Sequence, residues 1–292
     1  MSQLIATASD SLQIWDFLNQ EECRTVSTCS FTGTATSLSW NHTNQVVAVA
    51  LSDKRIDLIQ ATTGQLLSTL PFTSQEGISA QVKAVRFSGN SRYLASAEGS
   101  VVKLWDLKKR SLKTKLEGHK NPVVAVSFFA DGTIAASDSG GAIKIWDVKT
   151  ESSYREIDVD QVAADRSAGG TDYTLSCMEL SLSGPSRVAT GYSDGSLCLW
   201  DPATLTQLRK HNVHRSEISA VAFSPKNPRL IATSSFDGRM TLVDTGKTIL
   251  VSIEWSTTTF LFSSIVLSTS CILDQKKNFG FRERDPMTNI IY

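Results

Sequence analysis

An all-β fold built from a repeated four-stranded unit is what this 292-residue sequence predicts, and three observations carry the prediction. Four Trp-Asp pairs, Trp15-Asp16, Trp105-Asp106, Trp146-Asp147 and Trp200-Asp201, end the runs SLQIWD, VVKLWD, AIKIWD and SLCLWD. Apolar residues fall at every second position of these runs, the alternation of a strand with one buried face. Two weaker runs, RIDLIQ ending at Ile59-Gln60 and RMTLVD ending at Val243-Asp244, keep the same register. The intervals between positions 15, 59, 105, 146, 200 and 243 are then 44, 46, 41, 54 and 43 residues. A period of about 40–45 residues marks one four-stranded blade of a β-propeller.

The copies follow in order. The first opens almost at once, on Ser11 to Asp16. The second places Trp40 (SLSW) at the end of an earlier strand and Asp53-Lys54 in the turn before RIDLIQ. The third carries Phe87 (AVRF) in the aromatic place and closes on Trp105; the fourth opens on Gly118-His119, carries Phe128 (AVSF) and closes on Trp146. In the fifth, Leu180 replaces the aromatic, and Asp194-Gly195 precedes the strand that ends at Trp200. The sixth has His214, Phe223 (AVAF) and Asp237-Gly238 before Val243. An Asp-Gly turn between strands is expected to be a tight hairpin with both central residues at positive φ.

These columns resemble the WD-repeat family of β-propellers, from Ile5 to about Ile249. The resemblance implies six four-stranded blades, with an expected seventh missing or replaced. It also implies a buried hydrogen-bonded set of His, Ser/Thr, turn Asp and Trp in each blade. The residues that map onto this repeat framework are Trp15, Asp16, Asp53, Trp105, Asp106, His119, Trp146, Asp147, Asp194, Trp200, Asp201, His214, Asp237 and Asp244. The sets are incomplete: the fourth copy has Gly140 where the Asp would stand, and the sixth has Val243 for Trp.

No catalytic constellation accompanies the repeat. Gly246-Lys247-Thr248 looks like the end of a phosphate-binding loop, but Thr241 sits where that loop needs its first glycine. His211 and His214 have no third ligand near them in sequence. The expectation is a non-enzyme without cofactor or metal. Charge balance, 29 Lys and Arg against 29 Asp and Glu, argues against a nucleic-acid binder, which carries a basic excess. Five scattered cysteines make no disulfide framework. The start MSQLIATASD lacks the basic residues and long apolar run of a signal peptide, so a cytoplasmic protein is expected.

Two surface features stand out. From Lys103 to Lys120 the chain carries Lys108, Lys109, Arg110, Lys113 and Lys115 against only Asp106 and Glu117. This stretch is expected to form the outer strand of the third blade, as an edge charged against sheet-to-sheet pairing or as a dock for an acidic partner. The long fourth interval contains an acidic stretch from Lys149 to Thr174, with Asp158, Asp160 and Asp165 among its carboxylates, and this stretch is a candidate binding loop.

After Ile249 the register fails, so residues 1–249 are expected to form the propeller and 250–292 a divergent tail. Ser256 to Leu273 is uncharged for 18 positions, but nine of these are Ser or Thr, which argues against a membrane span. The stretches Lys103 to Val123 and Asn212 to Thr245 are similar to one branch of the WD-repeat family, the centrosomal adaptors that recruit γ-tubulin ring complexes. That resemblance implies a non-catalytic scaffold for microtubule nucleation, with γ-tubulin complexes or centrosomal and spindle proteins as partners and the centrosome or spindle as location. The alternative is a WD-repeat adaptor of another kind, such as a ubiquitin-ligase substrate receptor.

Overall fold

The computed structural model describes residues 3–19, 22–70, 81–129, 132–148, 152–158, 173–181, 186–204, 206–224, 227, 229–246 and 249–254. They form six antiparallel sheets in chain order. The first contains β1 (Gln3–Ala8), β2 (Ser11–Asn19) and β3 (Glu22–Ser30). The second contains β4 (Ala35–Trp40), β5 (Val46–Leu51), β6 (Ile56–Gln60) and β7 (Leu66–Leu70), and the third β8 (Val82–Phe87), β9 (Tyr93–Glu98), β10 (Val101–Asp106) and β11 (Ser111–Leu116). The fourth contains β12 (Val123–Phe128), β13 (Ile134–Asp138), β14 (Ala142–Asp147) and β15 (Ser152–Asp158). The fifth contains β16 (Leu175–Leu180), β17 (Val188–Tyr192), β18 (Ser196–Asp201) and β19 (Thr206–Asn212), and the sixth β20 (Ile218–Phe223), β21 (Leu230–Ser235), β22 (Arg239–Asp244) and β23 (Ile249–Glu254).

The first strands β4, β8, β12, β16 and β20 pack one against the next and form the inner wall. Side-chain hydroxyls stitch this wall together: Ser37 Oγ and Ser39 Oγ accept the Val85 and Phe87 backbone N–H at 3.1 and 3.0 Å. Thr36 Oγ1 donates to the Val82 carbonyl at 2.6 Å, and Ser176 Oγ to that of Ile218 at 2.8 Å. The aromatic column of the sequence (Trp40, Phe87, Phe128, Phe223, with Leu180) ends these five inner strands. Second strands such as VVAVAL and IAASD are buried along most of their length. Their small residues let neighbouring sheets close on both faces. The apolar core is accordingly five clusters, each shared between consecutive sheets. The outer strands β11, β15 and β19 are rich in polar residues, and the side chains of β19 are almost all exposed.

One backbone feature repeats in all six sheets. The pairing of third and outer strands shifts register just before positions 15, 59, 105, 146, 200 and 243. Ile59 and Val243 therefore hold the same structural place as the four tryptophans. A bulge at that point sharpens the local twist of each blade.

Two expectations change. Among the described residues five sheets have four strands, whereas the first has three and lacks an innermost one. In that sheet SLQIWD lies in the third strand counted from the axis, and Gln3–Ala8 makes the second, β1. The sixth sheet takes Ile249–Glu254 as its outer strand, five residues past the expected boundary at Ile249. Among the described residues, no strand of the sixth sheet packs on the first sheet as β1 packs on β4. The uncharged stretch Ser256 to Leu273 lies outside the described residues.

Candidate functional site

The polar groups that chemistry could use are tied up inside the blades. Trp105, Trp146 and Trp200 are all at most 2% exposed, while Trp15 is half-buried. In the third blade Trp105 Nε1 donates to Ser96 Oγ at 3.0 Å, and Ser96 Oγ donates to Glu98 at 3.0 Å. Lys103 Nζ closes the chain on the other Glu98 oxygen. In the fifth blade Trp200 Nε1 donates to Thr190 Oγ1 at 2.9 Å, and Thr190 reaches Tyr192 Oη at 3.3 Å. The strand register puts Ser96, Ala136, Thr190 and Thr233 in one equivalent place, two residues beyond the partner of position 105, 146, 200 or 243.

The two histidines complete different sets. His214 Nδ1 lies 3.1 Å from Asp237 Oδ2, and its Nε2 lies 2.8 Å from Thr233 Oγ1. Burial lowers the His214 pKa and outweighs the Asp237 charge that raises it. Asp237 shifts down as well: burial pushes it up, but the Arg215 N–H, His214 and the Arg239 N–H together hold it below the usual carboxylate range. His119 Nδ1 lies 2.8 Å from Asp138 Oδ2, and its ring rests on Trp146 with centroids 5.3 Å apart. Its Nε2 is buried without a hydrogen-bond partner among the described residues, and Ala136 occupies the place of Thr233. Asp138 is held low by His119 and the Ala142 and Gly140 N–H groups, against burial, which raises it.

Asp138 corrects the sequence reading, which left the fourth set without a carboxylate because Gly140 fills the turn position. The acid comes instead from the end of β13, two residues earlier. Gly140 leaves the space that the Asn121 side chain occupies; a Cβ there would lie 2.1 Å from Asn121 Nδ2.

The remaining framework aspartates work locally. Asp106 Oδ1 accepts the Lys108 and Lys109 N–H at 3.0 and 3.1 Å, and Asp201 Oδ1 accepts that of Ala203 at 2.8 Å. Asp244 Oδ1 accepts the Gly246 N–H at 2.9 Å. Asp194 Oδ1 takes both the Ser196 N–H and hydroxyl, and Asp53 binds Arg55 and Thr32. Each is a carboxylate fixing its own turn. Asp147 ends β14 half-buried, and Asp16 Oδ1 is buried without a partner among the described residues. The Asp-Gly turns differ from expectation, since only Gly195 and Gly238 take positive φ (82° and 78°) and the aspartates do not. The Gly195 and Gly238 N–H groups bond back to the Tyr192 and Ser235 carbonyls, so each is a four-residue turn ending in a left-handed residue. Gly195 is needed for a second reason: a Cβ would lie 2.3 Å from the His214 carbonyl oxygen.

The basic stretch divides. Lys113 and Lys115 lie on β11, where Lys113 Nζ donates to the Val148 carbonyl at 3.0 Å, while Lys108, Lys109 and Arg110 sit exposed in the turn before it. Of the acidic candidates, Asp158 ends β15, and Asp160 and Asp165 lie outside the described residues. Sequence reasoning missed an ion pair that skips a blade: Arg86 on β8 meets Glu179 on β16. Burial raises the Glu179 pKa, opposed by the charge of Arg86. Burial also pushes the Cys177 and Cys198 thiols up to about 12, so neither is a reactive thiolate.

Residues 1–90 match the family model described as the anaphase-promoting complex subunit 4 WD40 domain. Residues 110–147 and 205–244 match the WD domain, G-beta repeat. Those two segments run from β11 to β14 and from β19 to β22, an outer strand followed by three strands of the next blade. They are also the two that contain a histidine–aspartate pair.

Proposed function

This chain is a WD-repeat β-propeller, a protein-interaction fold, and we propose that it is a non-catalytic scaffold that targets γ-tubulin ring complexes to centrosomes or spindles for microtubule nucleation. The observation that carries the scaffold reading is the internal use of the polar groups. His119, His214 and their aspartates bind one another within blades, leaving no nucleophile and base aimed at a common cleft among the described residues. The γ-tubulin role rests on the resemblance of Lys103 to Val123 and Asn212 to Thr245 to the centrosomal adaptors. Its test is expression of the tagged full chain in dividing cells. Recovery of γ-tubulin with the chain, and its enrichment at spindle poles, are the expected results; a diffuse chain that recovers no γ-tubulin contradicts the role. A second reading, an adaptor in another multiprotein assembly such as a ubiquitin ligase, draws on the match of residues 1–90 to a domain named for an anaphase-promoting complex subunit. Co-purification with ligase subunits and indifference of microtubule regrowth to depletion would favour it.

A further inference from the structure

The second and third blades leave a cleft of about 220 Å³ between them. Leu58, Leu67, Phe87 and Leu107 line it with apolar surface, and Asn41 and Arg110 stand at its polar side. Among the described residues, none that lines it is acidic. Leu67 is 43% exposed and its neighbour Leu66 49%, two consecutive leucines on the outer strand β7. The far edge of β7 pairs with no other strand among the described residues.

Arg110 lines the cleft, and Lys108 and Lys109 precede it in the turn before β11. Lys108, Lys109 and Arg110 are exposed in succession, and none of their side chains makes an ion pair or hydrogen bond among the described residues. The nearest acid in sequence, Asp106, is 5% exposed and already accepts two backbone N–H groups. Edge protection does not account for these three charges, because they lie in the turn and not on the edge strand β11, where Lys113 and Lys115 serve that purpose. Exposed leucines next to uncompensated cations favour a ligand that is apolar at one point and negative beside it.

We propose that this cleft docks an acidic peptide segment of another protein, with one leucine- or phenylalanine-sized side chain seated between Leu67 and Phe87 and its carboxylates facing Lys108 to Arg110. The proposal rests on the scaffold reading and gives it a partner chemistry; it does not depend on γ-tubulin. The experiment is fluorescence anisotropy of the full chain with a labelled peptide of about 12 residues, two central leucines flanked by glutamates. A counterpart peptide with lysine for every glutamate serves for comparison. The acidic peptide should bind, and Lys108→Glu with Arg110→Glu should weaken it about tenfold or more, with Leu67→Ser weakening it several-fold. Leu208→Ser with Arg209→Glu, on exposed β19, should leave binding within about twofold. Equal binding of the two peptides, or indifference to both cleft variants, overturns the proposal. Recovery of γ-tubulin with an inert cleft sinks the cleft alone; a working cleft without γ-tubulin sinks only the microtubule role.

Discussion

The fourth and sixth blades hold the same pair of side chains, a buried histidine against an aspartate, and assemble it differently. In the sixth, Asp237 sits in the turn and Thr233 satisfies the second imidazole nitrogen, but Val243 replaces the tryptophan. In the fourth, Trp146 is present and packs on the ring, the carboxylate comes from Asp138, and Ala136 leaves His119 Nε2 alone. The carboxylate reaches the histidine from the end of the second strand in the fourth blade and from the turn after that strand in the sixth. The hydroxyl is not replaced in this way: Ala136 fills the place that Thr233 holds, and His119 Nε2 has no partner among the described residues. Blades thus survive the loss of either the aromatic or the polar end of the set, provided that the apolar clusters between sheets stay filled.

Breaking the comparison at its apolar end has the largest effect. Trp146→Ala should destabilise the protein by about 3–5 kcal/mol in urea unfolding, as a large-to-small change at a fully buried site. A loss below about 1 kcal/mol would remove the tryptophan from the core role. Thr233→Ala gives the sixth blade the defect of the fourth and should cost about 1–3 kcal/mol, because it strips a buried nitrogen of its partner. Amide exchange should then quicken in β21 and β22 first.

Acidification should act on the sixth blade through His214. Its folded pKa lies below the unfolded value of 6.5, so the unfolded chain binds the extra proton. The stability that it contributes is complete above about pH 6.5 and is lost as pH falls through the folded pKa. The decline in urea midpoint between neutral pH and about pH 5 should shrink in His214→Gln. Asp138 and Asp237, both held below the ordinary 3.8, act in the same direction at lower pH: their contribution is present above that value and is lost on further acidification.

Much of the fold was legible because a propeller repeats its signals. Trp-Asp, the aromatic column and the 41–54-residue intervals located the third strand of every blade and the inner strand of five, and even Ile59 and Val243 bulge where the tryptophans do. The three-stranded first sheet and the outer strand Ile249–Glu254 were not legible, since strand membership depends on pairing and not on the motif. Asp138 escaped because motif reading looks for a residue at a fixed position, whereas the histidine responds to any carboxylate within about 3 Å. Arg86 and Glu179 are 93 residues apart, and only the order of the inner strands brings them together. The cleft beside Leu67 was half visible, as a basic stretch without its apolar partner surface.

The position shared by Ser96, Ala136, Thr190 and Thr233 decides whether a blade's polar set is complete, and a double-mutant cycle tests this most directly. Ala136→Ser should stabilise the protein by about 0.5–1.5 kcal/mol, by giving His119 Nε2 the hydroxyl that His214 already has. The same substitution in a His119→Leu background should lose that gain. An equal effect of Ala136→Ser with and without His119 would contradict the assignment.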